Sequence, residues 1–185
     1  MTDDASVDAA AVRIAADFGR LDVLVNNAGI VSLVSPPNRE AFRRVLETNV
    51  VGSLSVTEAF LDLLRKAEHK PPRLVFLSSS MGSITHAADP ASPYYNPQGT
   101  EYRTSKAAVN MMMVMYTARL KSEGFLVFGA DPGLCATNFT GNADALRQRG
   151  AAEPWQGGER VAAVIKGEKD ADVGKVLGVY GVSPF

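Results

Sequence analysis

"LDVLVNNA", residues 21–28, is a short, nearly continuous apolar run rich in β-branched side chains, and the text Asn26-Asn27-Ala28-Gly29 breaks it. A strand covered on one face alternates apolar and polar residues, whereas one that is apolar throughout is covered on both, as in a parallel sheet. The signature returns in "RLVFLSS" (73–79) after Pro71-Pro72, in "FLVFGA" (125–130) and in "KVLGVYG" (175–181). Helical patterns lie between these runs. Val7, Ala11, Ile14 and Phe18 form one apolar helix face over 5–18, with Gly19 as the stop. Residues 38–66 place Phe42, Val45, Leu46, Val50, Leu54, Phe60 and Leu64 mostly at helical spacing around Gly52 and Ser53, which predicts a long, bent helix. Residues 102–122 predict a third helix ending near Gly124, and a short one is expected around 158–166. The alternation predicts an α/β fold, a Rossmann-like parallel sheet with helices on both faces and right-handed crossovers. Ligands of such sheets bind at the carboxyl ends of the strands. Three of those ends carry polar or Gly-rich text: "NNAG", "SSSMG" and "DPGLCAT".

A chain of 185 residues, 46% hydrophobic, is long enough to bury one core, so residues 1–185 are expected to form a single domain. Nineteen basic residues against twenty acidic ones, with no block of like charge, argue against nucleic acid and anionic membrane as partners. A small neutral ligand or another protein fits better. The single cysteine, Cys135, cannot form an internal disulfide and suits a reducing compartment. No apolar run approaches the roughly 20 residues that span a bilayer, and Met1 is followed by Thr-Asp-Asp rather than by a basic and then apolar leader. A cytoplasmic protein is the expectation.

"EYRTSKAAVN" (101–110) places Tyr102 four positions before Lys106 at the start of the third helix, so the two side chains share one face. A free phenol, with a pKa of about 10, is a poor base at neutral pH, and a nearby ammonium is expected to bring it toward the working range. Taken alone, the pair reads more readily as a half-buried aromatic beside a solvated charge than as a functional pair. Ser79, at the end of the second strand, faces the same mouth, where its hydroxyl can bond a carbonyl oxygen while the phenol protonates it. Asn49 is a polar residue among apolar neighbours near the helix interruption, and in isolation reads as a surface amide.

These stretches resemble the short-chain dehydrogenase/reductase family in family order: "TDDASV", "LVNNAG" (24–29), "ETNVVGSLSVTEAF" (47–60), "LVFLSSSMG" (74–82), "YRTSKAAVN" (102–110) and "DPGLCAT" (131–137). The resemblance implies a nicotinamide-dependent interconversion of a carbonyl and an alcohol. In that scheme Tyr102 donates or accepts the proton, Lys106 lowers its pKa and holds the nicotinamide ribose, and Ser79 orients the carbonyl. Asn49 holds a water linking Lys106 to solvent. Asn27, Ala28 and Gly29 lie beside the cofactor's adenosine half, and Cys135 and Thr137 contact the carboxamide. Ser80 is the runner-up for Ser79, but Ser79-x-x-Gly82 fits the family spacing better. NADP, with NAD as the alternative, is the cofactor implied, by likeness to carbonyl reductases with a similar "YRTSKAAVN" helix. A small carbonyl or alcohol is the substrate, and the long helices form a homo-oligomer interface.

The chain also departs from the family. The glycine-rich turn T-G-x-x-x-G-x-G is absent, and "TDDASV" corresponds to text that follows the third strand in relatives, so the first βαβαβ portion has no counterpart. That leaves the "VLVNNA" strand as an unpaired edge. A shortened version of a catalytic ancestor is the expectation, and a catalytically silent protein that associates through its long helices is the alternative. Ser79 and Tyr102 are separated by more residues than is usual, the surplus being "THAADPASPYYNPQGTE" (85–101), read as an ordered loop over the substrate cleft or as a surface excursion. Trp155 is expected to pack in the core.

Overall fold

The computed structural model describes residues 1–185. Helix α1 (Asp4–Phe18), capped by the Asp3 side chain and ended by Gly19 at positive φ, leads into strand β1 (Val23–Asn26). Helix α2 (Arg39–Leu46) passes through a π-helical turn, Glu47–Val51, into α3 (Gly52–Arg65), and β2 (Arg73–Leu77) follows. A 3-10 turn (Ser80–Gly82) and short helix α4 (Ile84–Ala88) precede α5 (Thr100–Leu120) and β3 (Leu126–Ala130). Helices α6 (Ala143–Gln148) and α7 (Pro154–Ile165) then lead to β4 (Val176–Gly178) and β5 (Gly181–Ser183).

The sheet runs β1-β2-β3-β4-β5, with the first four strands parallel and β5 antiparallel to β4. The α/β fold is the expected one. The single last strand expected over 175–181 is instead a hairpin, turned at Val179-Tyr180 with Gly181 at φ 97°. Gly181 tolerates that conformation because it has no Cβ. The sheet is therefore mixed at its far edge.

Alternate side chains of the strands feed two cores, as the two-residue strand period requires. Leu74, Phe76, Val127 and Val176 point to one face and pack with Leu61 and Leu64 of α3 and Val109, Met113, Tyr116 and Leu120 of α5. Val75, Leu77, Phe128 and Ala130 point to the other, against Val164 of α7. The near edge matches the expectation of an unpaired strand: β1 pairs only with β2, and Val23, Leu24 and Val25 remain partly exposed.

Two smaller expectations change. Trp155 is 62% exposed in the first turn of α7 rather than in the core, because Pro154 at the helix start and the reciprocal Glu153–Gln156 cap fix a helix that begins earlier than its apolar pattern. The long insertion is ordered: α4 starts on the Ser83 cap, the His86 and Tyr94 rings lie 5.0 Å apart, and Arg103 of α5 donates to the Tyr94 carbonyl at 2.9 Å.

Candidate active site

Ser79, Tyr102, Lys106 and Asn49 come together at the carboxyl end of β2. Ser79 follows the strand as the cap of the 3-10 turn, its Oγ accepting from the Met81 amide at 3.2 Å. That turn lies directly on α5. A methyl built on Gly82 would stand 2.7 Å from the Lys106 carbonyl carbon and 2.9 Å from the Ala107 nitrogen, so only glycine allows the approach that brings Ser79 beside Tyr102. Lys106 Nζ sits 5.6 Å from the Tyr102 ring centroid and donates to the Leu77 carbonyl at 2.7 Å. The ammonium has three N–H donors, so two remain for other partners.

Asn49 is 1% exposed, against its bland reading as a surface amide. The cause is the π-helical turn Glu47–Val51, which widens the helix by one residue and turns the side chain inward, as such turns do at functional sites. Its Oδ1 accepts from the Ile30 amide at 2.8 Å, while its Nδ2 donates to the Ile30 carbonyl and to Ser105 Oγ, both at 2.9 Å. Ser105 Oγ donates in turn to the Tyr102 carbonyl at 2.7 Å, which ties the π-turn to the start of α5.

Electrostatics alter one expectation. Lys106 does not acidify Tyr102 here: desolvation is the largest influence and pushes the phenol up, the Asp131 carboxylate adds to it, and only the Ser79 hydroxyl pulls it down. The ammonium carries its own penalty. Burial lowers the Lys106 pKa from 10.5 to about 8, partly opposed by Asp131. With Nζ committed to a backbone carbonyl, the pair shares a pocket but not a hydrogen bond.

Asp131 is a residue of the site that pattern reading passed over. It directly follows β3, is 5% exposed, accepts at Oδ2 from both Ser80 N and Ser80 Oγ at 2.7 Å, and accepts at Oδ1 from Gly133 N at 2.8 Å. Ser80, the runner-up for Ser79, is thereby committed to Asp131. Phe139, also unremarked in the sequence, stands edge-on to the Tyr102 ring at 5.9 Å. Both lie in or just beyond "DPGLCAT", whose polar text at a strand end was the available signal.

The remaining candidates divide into two groups. Gly29 belongs to the cluster: a Cβ there would lie 3.2 Å from Asn49 Oδ1 and 3.8 Å from Lys106 Nζ. It lines a cleft of about 390 Å³ with Ile30, Val31, Arg44 and Phe139. Asn27 and Ala28 are exposed and line a second cleft, about 360 Å³, between α1, β1 and α3. In the loop after β3, Cys135 makes a backbone bridge with Ala152, and burial pushes its thiol up. Thr137 Oγ1 accepts from the Phe139 amide at 3.3 Å, which leaves its own proton free to donate.

Residues 1–148 match the family model of the short chain dehydrogenases. The chain belongs to the short-chain dehydrogenase family. Short-chain dehydrogenase/reductase tropE of Talaromyces stipitatus is 34% identical to this family member over 203 residues, covering all of this chain and 74% of the relative. Short-chain dehydrogenase anuI of Penicillium roqueforti is 40% identical over 156 residues, covering 82% of this chain and 62% of its own length. Among solved structures, NADPH-bound carbonyl reductase from chicken fatty liver superposes with a TM-score of 0.78 at 26% identity, covering all of this chain and 74% of the other. This short-chain dehydrogenase is thus shorter than the relatives it matches. No helix in it is long and apolar enough to cross a membrane.

Proposed function

We propose that this short-chain dehydrogenase is a cytoplasmic, single-domain oxidoreductase over residues 1–185 that uses NADP(H), with NAD(H) as the alternative, to interconvert a small carbonyl compound and its alcohol. The observation that carries the reading is the convergence of Ser79, Tyr102, Lys106 and Asn49 at one strand end, held by the contact of Gly82 on α5. The residues present fit the nicotinamide half of such a nucleotide, while the glycine-rich turn that holds the pyrophosphate in the family is absent from this sequence. The missing Cβ of Gly29 leaves room beside Lys106 Nζ, whose two unused donors suit ribose hydroxyls, and the free Thr137 hydroxyl suits a carboxamide, with Cys135 alongside. Asn27 and Ala28 line the neighbouring cleft on the adenosine side. NADP is favoured because the carbonyl reductase at 26% identity carries NADPH.

A nicotinamide bound there would supply or take the hydride. The chain's own residues move the proton. In reduction, Ser79 donates a hydrogen bond to the carbonyl oxygen and Tyr102 gives that oxygen its phenolic proton as the carbon is reduced, so C=O becomes CH–OH. Burial keeps Tyr102 protonated until that moment. Lys106, titrating at about 8, stands next to the phenolate that results and can return a proton near neutral pH. A water held between Asn49 and Lys106 would connect that exchange to solvent.

Met111 and Met115, one turn apart on α5 and both largely exposed, favour a homo-oligomer formed through the long helices. If association were the chain's whole function, no cofactor would bind. Titration of NADPH fluorescence is expected to saturate with a Kd in the micromolar range. The absence of a saturable signal would favour the associating, catalytically silent protein.

A further inference from the structure

We propose that Asp131 is the positioning residue of this site: its buried carboxylate clasps the Ser79-bearing turn after β2 to the Pro132–Thr137 loop after β3. The inference rests on the reductase reading for its consequence in catalysis, but not for its geometry. Three donors converge on one buried carboxylate, Ser80 N and Ser80 Oγ on Oδ2 and Gly133 N on Oδ1, at 2.7, 2.7 and 2.8 Å. Charge-assisted bonds of this length are the strong ones. The two Ser80 bonds join segments 51 residues apart in the chain and tie the turn after β2 to the end of β3, while the Gly133 bond fixes the start of the loop that follows.

The surroundings pack closely on the clasp. Gly178 of β4 backs the clasp, since a Cβ there would lie 3.3 Å from Ser80 Oγ and 3.5 Å from Asp131 Oδ2. Arg160 of α7, the cation on that side, donates to the Pro132 carbonyl and forms no ion pair with Asp131. From the loop after β3 the titratable neighbour is Cys135, and from α5 the neighbours are Tyr102 and Lys106. The carboxylate favours the neutral phenol and the charged ammonium together, which is the pairing that proton donation to a carbonyl requires.

Asp131→Asn keeps the shape but removes the charge, and an amide cannot accept from both sides. The Lys106 ammonium, followed by NMR of lysine labelled at Cε, is expected to titrate about one pH unit lower in the variant than in the wild type. The Ser80 and Gly133 amides are expected to exchange with solvent at least about 10-fold faster. An unmoved Lys106 midpoint would overturn the expected effect of the carboxylate on the ammonium, and unchanged exchange would overturn the clasp. Neither readout needs turnover, so failure of the reductase reading would be seen separately, as no ketone reduction by the wild type. If Asp131→Asn does not fold, Ser80→Ala removes one bond while retaining the charge. It should speed exchange at Ser80 and leave the Lys106 midpoint in place; unaltered exchange would again overturn the clasp.

Discussion

Tyr102→Phe is expected to lower kcat for carbonyl reduction about 1,000-fold, the scale typical of losing a positioned acid, while NADPH affinity stays within about twofold. The substitution removes one oxygen. The ring keeps its edge-on contact with Phe139 at 5.9 Å, and Lys106 keeps its bond to the Leu77 carbonyl, so the pocket that would receive the ribose is undisturbed. A fall in kcat without a matching rise in cofactor Kd marks a group that acts in the transition state rather than in binding. Turnover within tenfold of the wild type would remove Tyr102 from the role of proton donor.

Lys106→Met is expected to separate activity from stability. Activity should fall at least about 100-fold, because the group that returns a proton to Tyr102 and the donors that would hold the ribose are lost. Stability should move the other way. Burial drops the Lys106 pKa from 10.5 to about 8, so below pH 8 the fold carries a charged, desolvated ammonium at a cost of roughly 3 kcal/mol. Methionine fills similar space without charge but leaves the Leu77 carbonyl unpaired, which returns about 1–2 kcal/mol. The net expectation at pH 7 is a gain of about 1–2 kcal/mol, read as a Tm higher by about 2–6 °C.

The pH dependence supplies a control. Between pH 8 and 10 the unfolded chain holds a proton at this lysine that the folded chain has released, so wild-type stability should rise with pH across that window. The rise should end above pH 10, where the unfolded chain ionises tyrosines that the folded chain keeps protonated, Tyr102 among them. In Lys106→Met the rise between pH 8 and 10 should vanish. Thermal melts by circular dichroism from pH 6 to 10 measure both, and a variant less stable than the wild type at every pH would show that the ammonium supports the fold instead of straining it.

The four parallel strands and the longer helices between them were legible because each strand is a short apolar run and most of those helices repeat apolar residues at helical spacing, whereas the short helices α4 and α6 carry no such repeat and were not foreseen. The hairpin at the carboxyl end was not, since Val179 and Tyr180 continue the apolar text through a turn that only the positive φ of Gly181 marks. Asn49 was found by resemblance, yet its burial depends on a π-turn that no spacing rule announces. The adjacency of Tyr102 and Lys106 followed from the four-residue spacing. The direction of the phenol's shift did not follow, because it is governed by desolvation and by Asp131, which reaches the site from another strand. Asp131 itself was hidden for the same reason: it meets Ser80 only once β2 and β3 lie side by side.

The most direct test is to follow the hydride. NADPH deuterated at both C4 positions, mixed with this protein and an aromatic ketone, is expected to give an alcohol carrying one deuterium on the carbinol carbon, detected by mass spectrometry and lost in Tyr102→Phe. Unlabelled alcohol, or no alcohol at enzyme concentrations equal to those of the ketone, would contradict the assignment of Ser79, Tyr102 and Lys106 as a reductase site.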